Sequence, residues 1–159
     1  MTPPNSSATD RAAHTLTLER VIDAPRDLVW EAWTDEKHAA KWWAPKGFDI
    51  AYIEMDVRPG GGWKKCMRLP DGREFWRNGV YTEVEEPERL TFTYLSDDPN
   101  SQPGHETVVT VTFEARGDKT VVKLHQSVFE TVAARDAHKG GWNSTLERIG
   151  EYVTAGRHS

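Results

Sequence analysis

Six segments of alternating apolar and polar residues follow one another between positions 48 and 129, separated by short turn sequences. Alternation with a period of two is typical of β-strands that bury one face. The turn sequences at 70–72 (PDG) and 116–119 (RGDK) favour hairpins between neighbouring segments. The polar stretch 96–105 is interpreted as a loop within this series. The pattern therefore predicts consecutive antiparallel strands over about half of the chain.

One further strand and two short helices are predicted before these segments. Residues 14–24 also alternate with a period of two, and Pro25 suits the first turn of a helix because its φ is fixed near the helical value. The apolar stripe of this helix consists of Leu28, Val29, Ala32 and Trp33. A second helix follows, capped by Thr34 or Asp35. Its predicted inward residues are Ala39, Ala40 and Trp43.

The C-terminal part of the chain returns to the period of 3.6 residues that is typical of an amphipathic helix. The apolar stripe of this long helix consists of His138, Trp142, Leu146, Ile149 and Val153. Gly140 and Gly141 lie within it or at its start, where each costs roughly 1 kcal/mol relative to alanine. Either the helix begins after the two glycines, or they permit a close backbone approach.

Composition restricts the class of protein. The chain has 159 residues and a formal net charge of −5, which fits one acidic domain, predicted at 14–159. Residues 1–13 show no periodicity and are predicted to be a disordered leader. The single cysteine, Cys66, excludes an internal disulfide and favours the reducing cytoplasm as the location.

Several classes of partner are excluded by what the sequence lacks. Nucleic-acid binding needs a basic cluster, and membrane insertion needs about 18 consecutive apolar residues; neither pattern occurs. The histidines form no close pair of metal ligands, and no phosphate-binding or serine-hydrolase motif is present. We therefore predict neither a metal nor a cofactor.

Aromatic residues supply much of the apolar surface, since the chain contains seven tryptophans. A long sheet needs a cover over its apolar face, and the C-terminal helix is the obvious cover. One helix cannot fill the concave side of a curved sheet of seven strands. A cavity lined by aromatic residues is therefore expected between the helix and the sheet.

The order of elements resembles the START-like, birch-pollen-allergen-like helix-grip fold, an α+β fold. Within it, the motifs resemble the family homologous to the activator of the 90-kDa heat-shock chaperone ATPase, over about residues 15–155. The matching stretches are RVIDAPRDLVWEAWTD (20–35), KWWAP (41–45), DVRPGGGW (56–63), PDGREF (70–75), GVYTEVEEPERLTFT (79–93), VTVTFEA (109–115) and HKGGWNSTLERI (138–149).

The resemblance implies which side chains face the cavity. It directs Trp63 and Trp142 into the space between sheet and helix, with Leu90 and Phe92 on the same inner face. Strand alternation then adds Met67, Phe75, Arg77, Tyr81 and Tyr94 to this face. Lys65 is a departure, because the family usually has an apolar residue there. A lysine at this position either extends to the rim or meets an anionic partner.

Each candidate has a structural alternative. Trp42 and Trp43, together with the two inner tryptophans, form either an aromatic box for a ligand or ordinary core. His138 is either a general base, because imidazole titrates near neutrality, or a histidine of the core or rim. No second catalytic group is fixed beside it, so no catalytic residue is assigned.

The leading hypothesis is a non-catalytic domain, a monomer or homodimer, that binds a small hydrophobic or amphipathic molecule between the C-terminal helix and the sheet. Stimulation of a heat-shock chaperone ATPase and a cyclase or hydratase activity in the same cavity are the alternatives. The candidate ligand-binding residues are Trp42, Trp43, Trp63, Lys65, Met67, Phe75, Arg77, Tyr81, Phe92, Tyr94, His138, Trp142 and Leu146.

Overall fold

The computed structural model describes residues 15–96, 106–127 and 132–157. The predicted leader at 1–13 and nearly all of the predicted loop at 96–105 lie outside these ranges. The described elements are β1 (Leu16–Ile22), α1 (Arg26–Thr34), α2 (Glu36–Trp42), β2 (Asp49–Met55), β3 (Gly62–Arg68), β4 (Glu74–Glu85), β5 (Arg89–Ser96), β6 (Thr107–Arg116), β7 (Lys119–Ser127) and α3 (Val132–Arg157).

The strands form one seven-stranded antiparallel sheet in the order β1-β7-β6-β5-β4-β3-β2. Strands β2 to β7 are joined in sequence as neighbours, as their turn signals predict. The helices α1 and α2 carry the chain from one edge of the sheet, at β1, to the other edge, at β2. This architecture confirms the predicted α+β helix-grip fold.

The long helix α3 packs on the sheet through its apolar stripe. Trp142 contacts the ring of Tyr94 on β5, with ring centroids 6.0 Å apart, and Leu146 and Ile149 are buried. Among the described residues, no helix is both long enough and apolar enough to cross a membrane. One side of α3 therefore closes over the sheet, and the other side meets solvent.

In α1, Val29, Ala32 and Trp33 are buried as the sequence pattern predicts, but the fourth residue of the predicted stripe is not. Leu28, predicted to point inward, is 41% exposed, whereas Trp30 is buried. The reason is a contact outside the helix, because Trp30 packs edge-to-face on Phe113 of β6 with ring centroids 5.4 Å apart. In α2, Asp35 provides the cap by accepting a hydrogen bond from the backbone N–H of Lys37.

The two glycines of α3 lie inside the helix, since α3 begins at Val132. A Cβ atom added at Gly141 would lie 3.7 Å from Cγ of Pro45, which is ordinary contact, and one added at Gly140 would meet nothing within 4 Å. A side chain would therefore fit at both positions, so no close backbone contact requires a glycine at either of them.

Gly79 on β4 does permit such an approach. A Cβ atom there would lie 1.8 Å from the carbonyl oxygen of Thr93 and 2.6 Å from Nε1 of Trp63. That indole nitrogen donates a hydrogen bond to the same carbonyl at 3.1 Å. The missing side chain thus lets the Trp63 indole cross β4 and reach the backbone of β5.

We expect Gly79→Ala to lower the free energy of unfolding by about 1–3 kcal/mol, because the methyl group displaces Trp63 or the β5 backbone. Gly140→Ala is the matched control, and we expect it to raise the free energy of unfolding by up to about 1 kcal/mol through helix propensity. Urea unfolding of both variants measures the difference. Equal effects of the two substitutions would contradict the packing described at Gly79.

Candidate ligand-binding site

A pocket of about 220 Å³, partly open to solvent, lies between α3 and the inner face of the sheet. We call it the α3 pocket. The strands β3, β4 and β5 contribute Lys65, Met67, Phe75, Arg77 and Tyr94 to its wall. Helix α3 contributes Ala137, His138, Gly141, Trp142 and Thr145, and the loop after α2 contributes Pro45 and Phe48.

Strand register brings the sheet residues of the wall together in pairs. Lys65 lies directly opposite Arg77, and Met67 lies directly opposite Phe75, in the antiparallel pairing of β3 with β4. Side chains at directly paired positions have Cβ atoms roughly 4.5–5.5 Å apart. The sheet therefore places two cationic side chains next to each other beside two apolar ones.

Lys65 is the one charged residue that is buried among the described residues, with 2% of its surface exposed. Its Nζ donates a hydrogen bond to the carbonyl oxygen of Trp43 at 2.9 Å and lies 4.0 Å from the centre of the Trp43 ring. No described aspartate or glutamate forms an ion pair with it. The side chain thus ends inside the protein, which excludes an extension to the solvent-exposed rim.

The environment favours the neutral amine of Lys65. Burial lowers the pKa of its ammonium well below the usual range, and the positive charge of Arg77 lowers this pKa further. The aromatic faces of Trp43, Trp63 and Tyr94 lie 4.0 to 5.9 Å from Nζ and offset only part of the desolvation cost. The neutral amine of Lys65 therefore remains the favoured form.

His138 lies on α3 across the α3 pocket from the sheet. Its Nδ1 is 3.0 Å from the carbonyl oxygen of Ala134, and because that oxygen can only accept, Nδ1 carries a proton. Burial lowers the pKa of His138, while the hydrogen bond to Ala134 acts in the opposite direction. The ring is thereby favoured as neutral imidazole with its lone pair on Nε2.

A chain of buried hydrogen bonds positions Trp142 and Tyr94. The indole N–H of Trp142 donates to Oε1 of Gln126 at 2.7 Å, and Nε2 of Gln126 donates to Oγ1 of Thr107 at 2.7 Å. The Thr107 hydroxyl in turn donates to the carbonyl oxygen of Tyr94 at 3.2 Å. The chain connects α3 to β7, β6 and β5, so it fixes two walls of the α3 pocket relative to each other.

Arg148 of α3 holds the loop wall in place. Its Nη1 donates to the carbonyl oxygens of Ala44, Pro45 and Phe48 at 3.0, 3.2 and 2.9 Å. Its Nη2 reaches the carbonyl oxygen of Lys41, in the last turn of α2, at 3.2 Å. The guanidinium group of Arg148 thus joins two elements. It attaches the loop that contains Pro45 and Phe48 to helix α3.

The charge of the wall has one sign. Lys65, Arg77 and His138 are its basic residues. Among the described residues that line the α3 pocket, none is an aspartate or glutamate. The remaining lining is mostly apolar or aromatic. The described lining of the α3 pocket thus combines basic groups with a largely apolar surface.

Elsewhere in the described part of the chain, one group of side chains has ligand atoms close enough together for a metal ion: Glu31, Asp35 and His38. Each of them has another interaction. Asp35 caps α2, and His38 contacts the hydroxyl of Tyr152 at 2.6 Å and Glu31 at 3.5 Å. The group lies at the surface, away from the α3 pocket, and its contacts account for its arrangement.

Comparison with known proteins identifies the family. Residues 23–154 match the family described as activator of Hsp90 ATPase homolog 1-like protein. The chain belongs to this family. The match covers every described element except β1 and the last residues of α3, so the resemblance inferred from the sequence motifs is confirmed. No curated protein matches the chain.

Solved structures of other activator of Hsp90 ATPase homolog 1-like and related bacterial proteins share the fold. A protein of Nitrosomonas europaea is 25% identical, with 93% of this chain and 99% of that chain covered and a TM-score of 0.78. The AHSA1-like protein of Aeromonas hydrophila is 27% identical, with coverages of 91% and 95% and a TM-score of 0.74. The AHSA1 protein of Silicibacter pomeroyi, 22% identical with coverages of 89% and 98%, has a TM-score of 0.81 and supports the fold alone.

The candidate residues from the sequence divide into two groups within this family fold. The structure brings together, on the wall of the α3 pocket, Lys65, Met67, Phe75, Arg77, Tyr94, His138 and Trp142. The remaining candidates do not line it and are buried in the core: Trp42, Trp43, Trp63, Tyr81, Phe92 and Leu146. Trp43 still acts on the site, because its ring and carbonyl contact Lys65.

Sequence reasoning missed five residues of the wall: Pro45, Phe48, Ala137, Gly141 and Thr145. The three on α3 follow from helical spacing, since they lie within one turn of His138 or Trp142. The loop residues Pro45 and Phe48 carry no comparable signal. Their position depends on Arg148, which the pattern leaves outside the apolar stripe.

Replacing Lys65 should increase stability in a pH-dependent way. Folding lowers the pKa of this lysine below its unfolded value of about 10.4, so the unfolded state binds more protons and is favoured as the pH falls. We expect Lys65→Met to raise the free energy of unfolding near pH 7, with a gain that shrinks as the pH approaches about 10.4. The other ionisable groups on the wall, Arg77, Tyr94 and His138, are present in both proteins.

Urea unfolding of Lys65→Met and the wild type across this pH range measures the difference. Lys64→Met is the control, because Lys64 is the exposed neighbour of Lys65 on the same strand. A gain for Lys65→Met that stays constant with pH would show that desolvation of the ammonium is not its cause.

Proposed function

We propose that this protein binds a small amphipathic anion in the α3 pocket, with the acidic group of the ligand at Lys65 and Arg77 and its apolar body among the aromatic side chains. The observation that carries the proposal is a buried amine, that of Lys65, which lies opposite Arg77 in an otherwise largely apolar wall. The single, buried cysteine supports the cytoplasm as the place where binding occurs.

Electrostatics favour an anionic occupant over a neutral one. A buried ammonium without a counter-ion is costly, and an adjacent carboxylate offsets that cost through a charge-assisted hydrogen bond. The ligand would raise the pKa of Lys65 towards its ordinary value, so the amine would take up a proton on binding. Arg77 lies opposite Lys65 on the paired strand and has a planar guanidinium group, whose Nη1 donates to the carbonyl oxygen of Trp76 at 2.8 Å.

The size of the α3 pocket favours a small ligand. Pockets for drug-sized ligands usually measure about 300–1,000 Å³, and this one measures about 220 Å³. One aromatic ring or a short acyl chain with an acidic group fits this volume better than a long-chain lipid. The aromatic faces of Tyr94 and Trp142 would contact the apolar part of such a molecule.

Isothermal titration calorimetry with phenylacetate tests the proposal, with phenylacetamide as the neutral ligand of the same shape. We expect wild-type protein to bind the acid in preference to the amide. Lys65→Met should weaken binding of the acid roughly tenfold to a hundredfold, the usual worth of a hydrogen bond to a charged group. Lys64→Met should bind like the wild type, because Lys64 is exposed and not part of the wall.

Equal binding of acid and amide would count against an anion site, as would an unchanged affinity of the Lys65→Met protein. A parallel measurement with Arg77→Met separates the two cations. If Arg77 contributes through its charge, its replacement should reduce the preference for the acid and leave the affinity for the amide unchanged.

Stimulation of a heat-shock chaperone ATPase is the second candidate function, and the description of the matched family supports it. The test is the ATPase rate of a purified Hsp90 with and without this protein. Under the small-molecule proposal, we expect the rate to stay the same, both with the wild type and with Lys65→Met. A dose-dependent increase with the wild type would favour the co-chaperone function instead.

A further inference from the structure

We propose that the contact between the rings of Phe48 and Phe75 sets the upper size limit of the molecule that binds in the α3 pocket. Acids with a single aromatic ring enter, and acids with two fused rings are excluded until one of the two phenylalanines is shortened. This inference rests on the proposed function in one respect, because it needs a ligand in the α3 pocket. It does not depend on the charge of that ligand.

Phe48 and Phe75 reach the α3 pocket from two different elements. Phe48 belongs to the loop after α2, Phe75 belongs to β4, and both residues line the α3 pocket. Their ring centroids lie 5.6 Å apart, and the ring planes make an angle of 76°. Two rings in edge-to-face contact leave no space for a ligand between them. The α3 pocket therefore does not extend between the loop and β4 at this point.

The backbone that carries Phe48 is held in a tight turn. The backbone N–H of Phe48 donates a hydrogen bond to the carbonyl oxygen of Pro45 at 3.1 Å. Gly47, the third residue of this turn, has a φ of +95°, a conformation that favours glycine and is typical of a type II turn. The turn 45–48 is therefore closed by its own hydrogen bond.

Helix α3 fixes the position of the turn 45–48. Arg148 donates hydrogen bonds to the carbonyl oxygens of Pro45 and Phe48 at 3.2 and 2.9 Å. The backbone N–H of Lys46 donates to Oγ of Ser144 at 2.8 Å. A movement of the turn away from the sheet would break these hydrogen bonds, so the backbone of the turn resists enlargement of the α3 pocket.

The sheet fixes Phe75 on the other side of the contact. Phe75 lies directly opposite Met67, and the pairing of β3 with β4 continues without a shift in register from Gly62 to Arg68. A movement of the Phe75 backbone would break this ladder. A larger ligand can therefore enter only by displacing one of the two rings, and forcing extra atoms into a packed wall usually weakens binding about tenfold or more.

The two rings can be shortened without removing the main core. Both are half-buried, and neither belongs to the cluster of buried residues that forms the core. Large losses of stability come mainly from truncation of fully buried side chains. We therefore expect Phe48→Ala and Phe75→Ala to fold.

Isothermal titration calorimetry with two acids tests the inference on the intact chain. Phenylacetate is the single-ring probe, and 2-naphthylacetate carries the same acidic group on two fused rings. We expect the wild type to bind phenylacetate about tenfold more tightly than 2-naphthylacetate, or better. Phe48→Ala and Phe75→Ala should each bind 2-naphthylacetate about tenfold more tightly than the wild type does, and binding of phenylacetate shows that each variant is folded.

A double variant tests whether the two rings act as one boundary. Either substitution alone removes the contact, so Phe48→Ala and Phe75→Ala together should improve binding of 2-naphthylacetate by less than the product of the two single improvements. Lys46→Ala is the matched control, because Lys46 lies in the same turn but is exposed and does not line the α3 pocket. It should keep the preference of the wild type for phenylacetate.

Two results would overturn the inference: equal affinities of the wild type for the two acids, or an unchanged preference in both phenylalanine variants. The proposed function would survive either result, because the comparison of an acid with its amide judges it separately. If phenylacetamide and 2-naphthylacetamide bind as tightly as the acids and show the same size preference, the size limit stands and the anion site is lost. Absence of binding by all four compounds, to the wild type and to Phe48→Ala, would remove both.

Discussion

The hydrogen bond from the Trp142 indole to Gln126 is the interaction on which the rest of the α3 pocket depends. Both groups are buried, and Gln126 passes the connection on to Thr107 and so to the backbone of Tyr94. Burying an amide costs free energy unless its hydrogen bonds are formed. This series of hydrogen bonds therefore favours the observed position of α3 over the sheet. The α3 pocket is the space that this arrangement leaves beside Trp142.

Within that space, the burial of the Lys65 amine works against stability. The tryptophans around Lys65 pack tightly in edge-to-face and tilted contacts, and they exclude water from an amine that water would solvate well. The fold retains this unfavourable group, although an apolar residue would fit the pattern of the strand. Functional sites are where proteins retain such costs, because a ligand can offset them.

The sequence predicted the order of elements, the sheet pairing and most inward residues, because alternation and turn chemistry are local properties. The sequence did not predict how deeply each inward side chain is buried. Alternation assigns Trp63 and Lys65 to the same face of β3, but only packing decides that the first belongs to the core and the second to the α3 pocket. Leu28 was misassigned for a similar reason, since Phe113 of a distant strand determines which face of α1 is buried.

The hydrogen bonds of Arg148 affect which residues of the α3 pocket can change during evolution. Arg148 binds the backbone carbonyls of Ala44, Pro45 and Phe48, and none of their side chains takes part. Evolution can therefore exchange the side chains at positions 45 and 48 while the loop keeps its path. The wall of the α3 pocket can thus change at these two positions without a compensating change at Arg148.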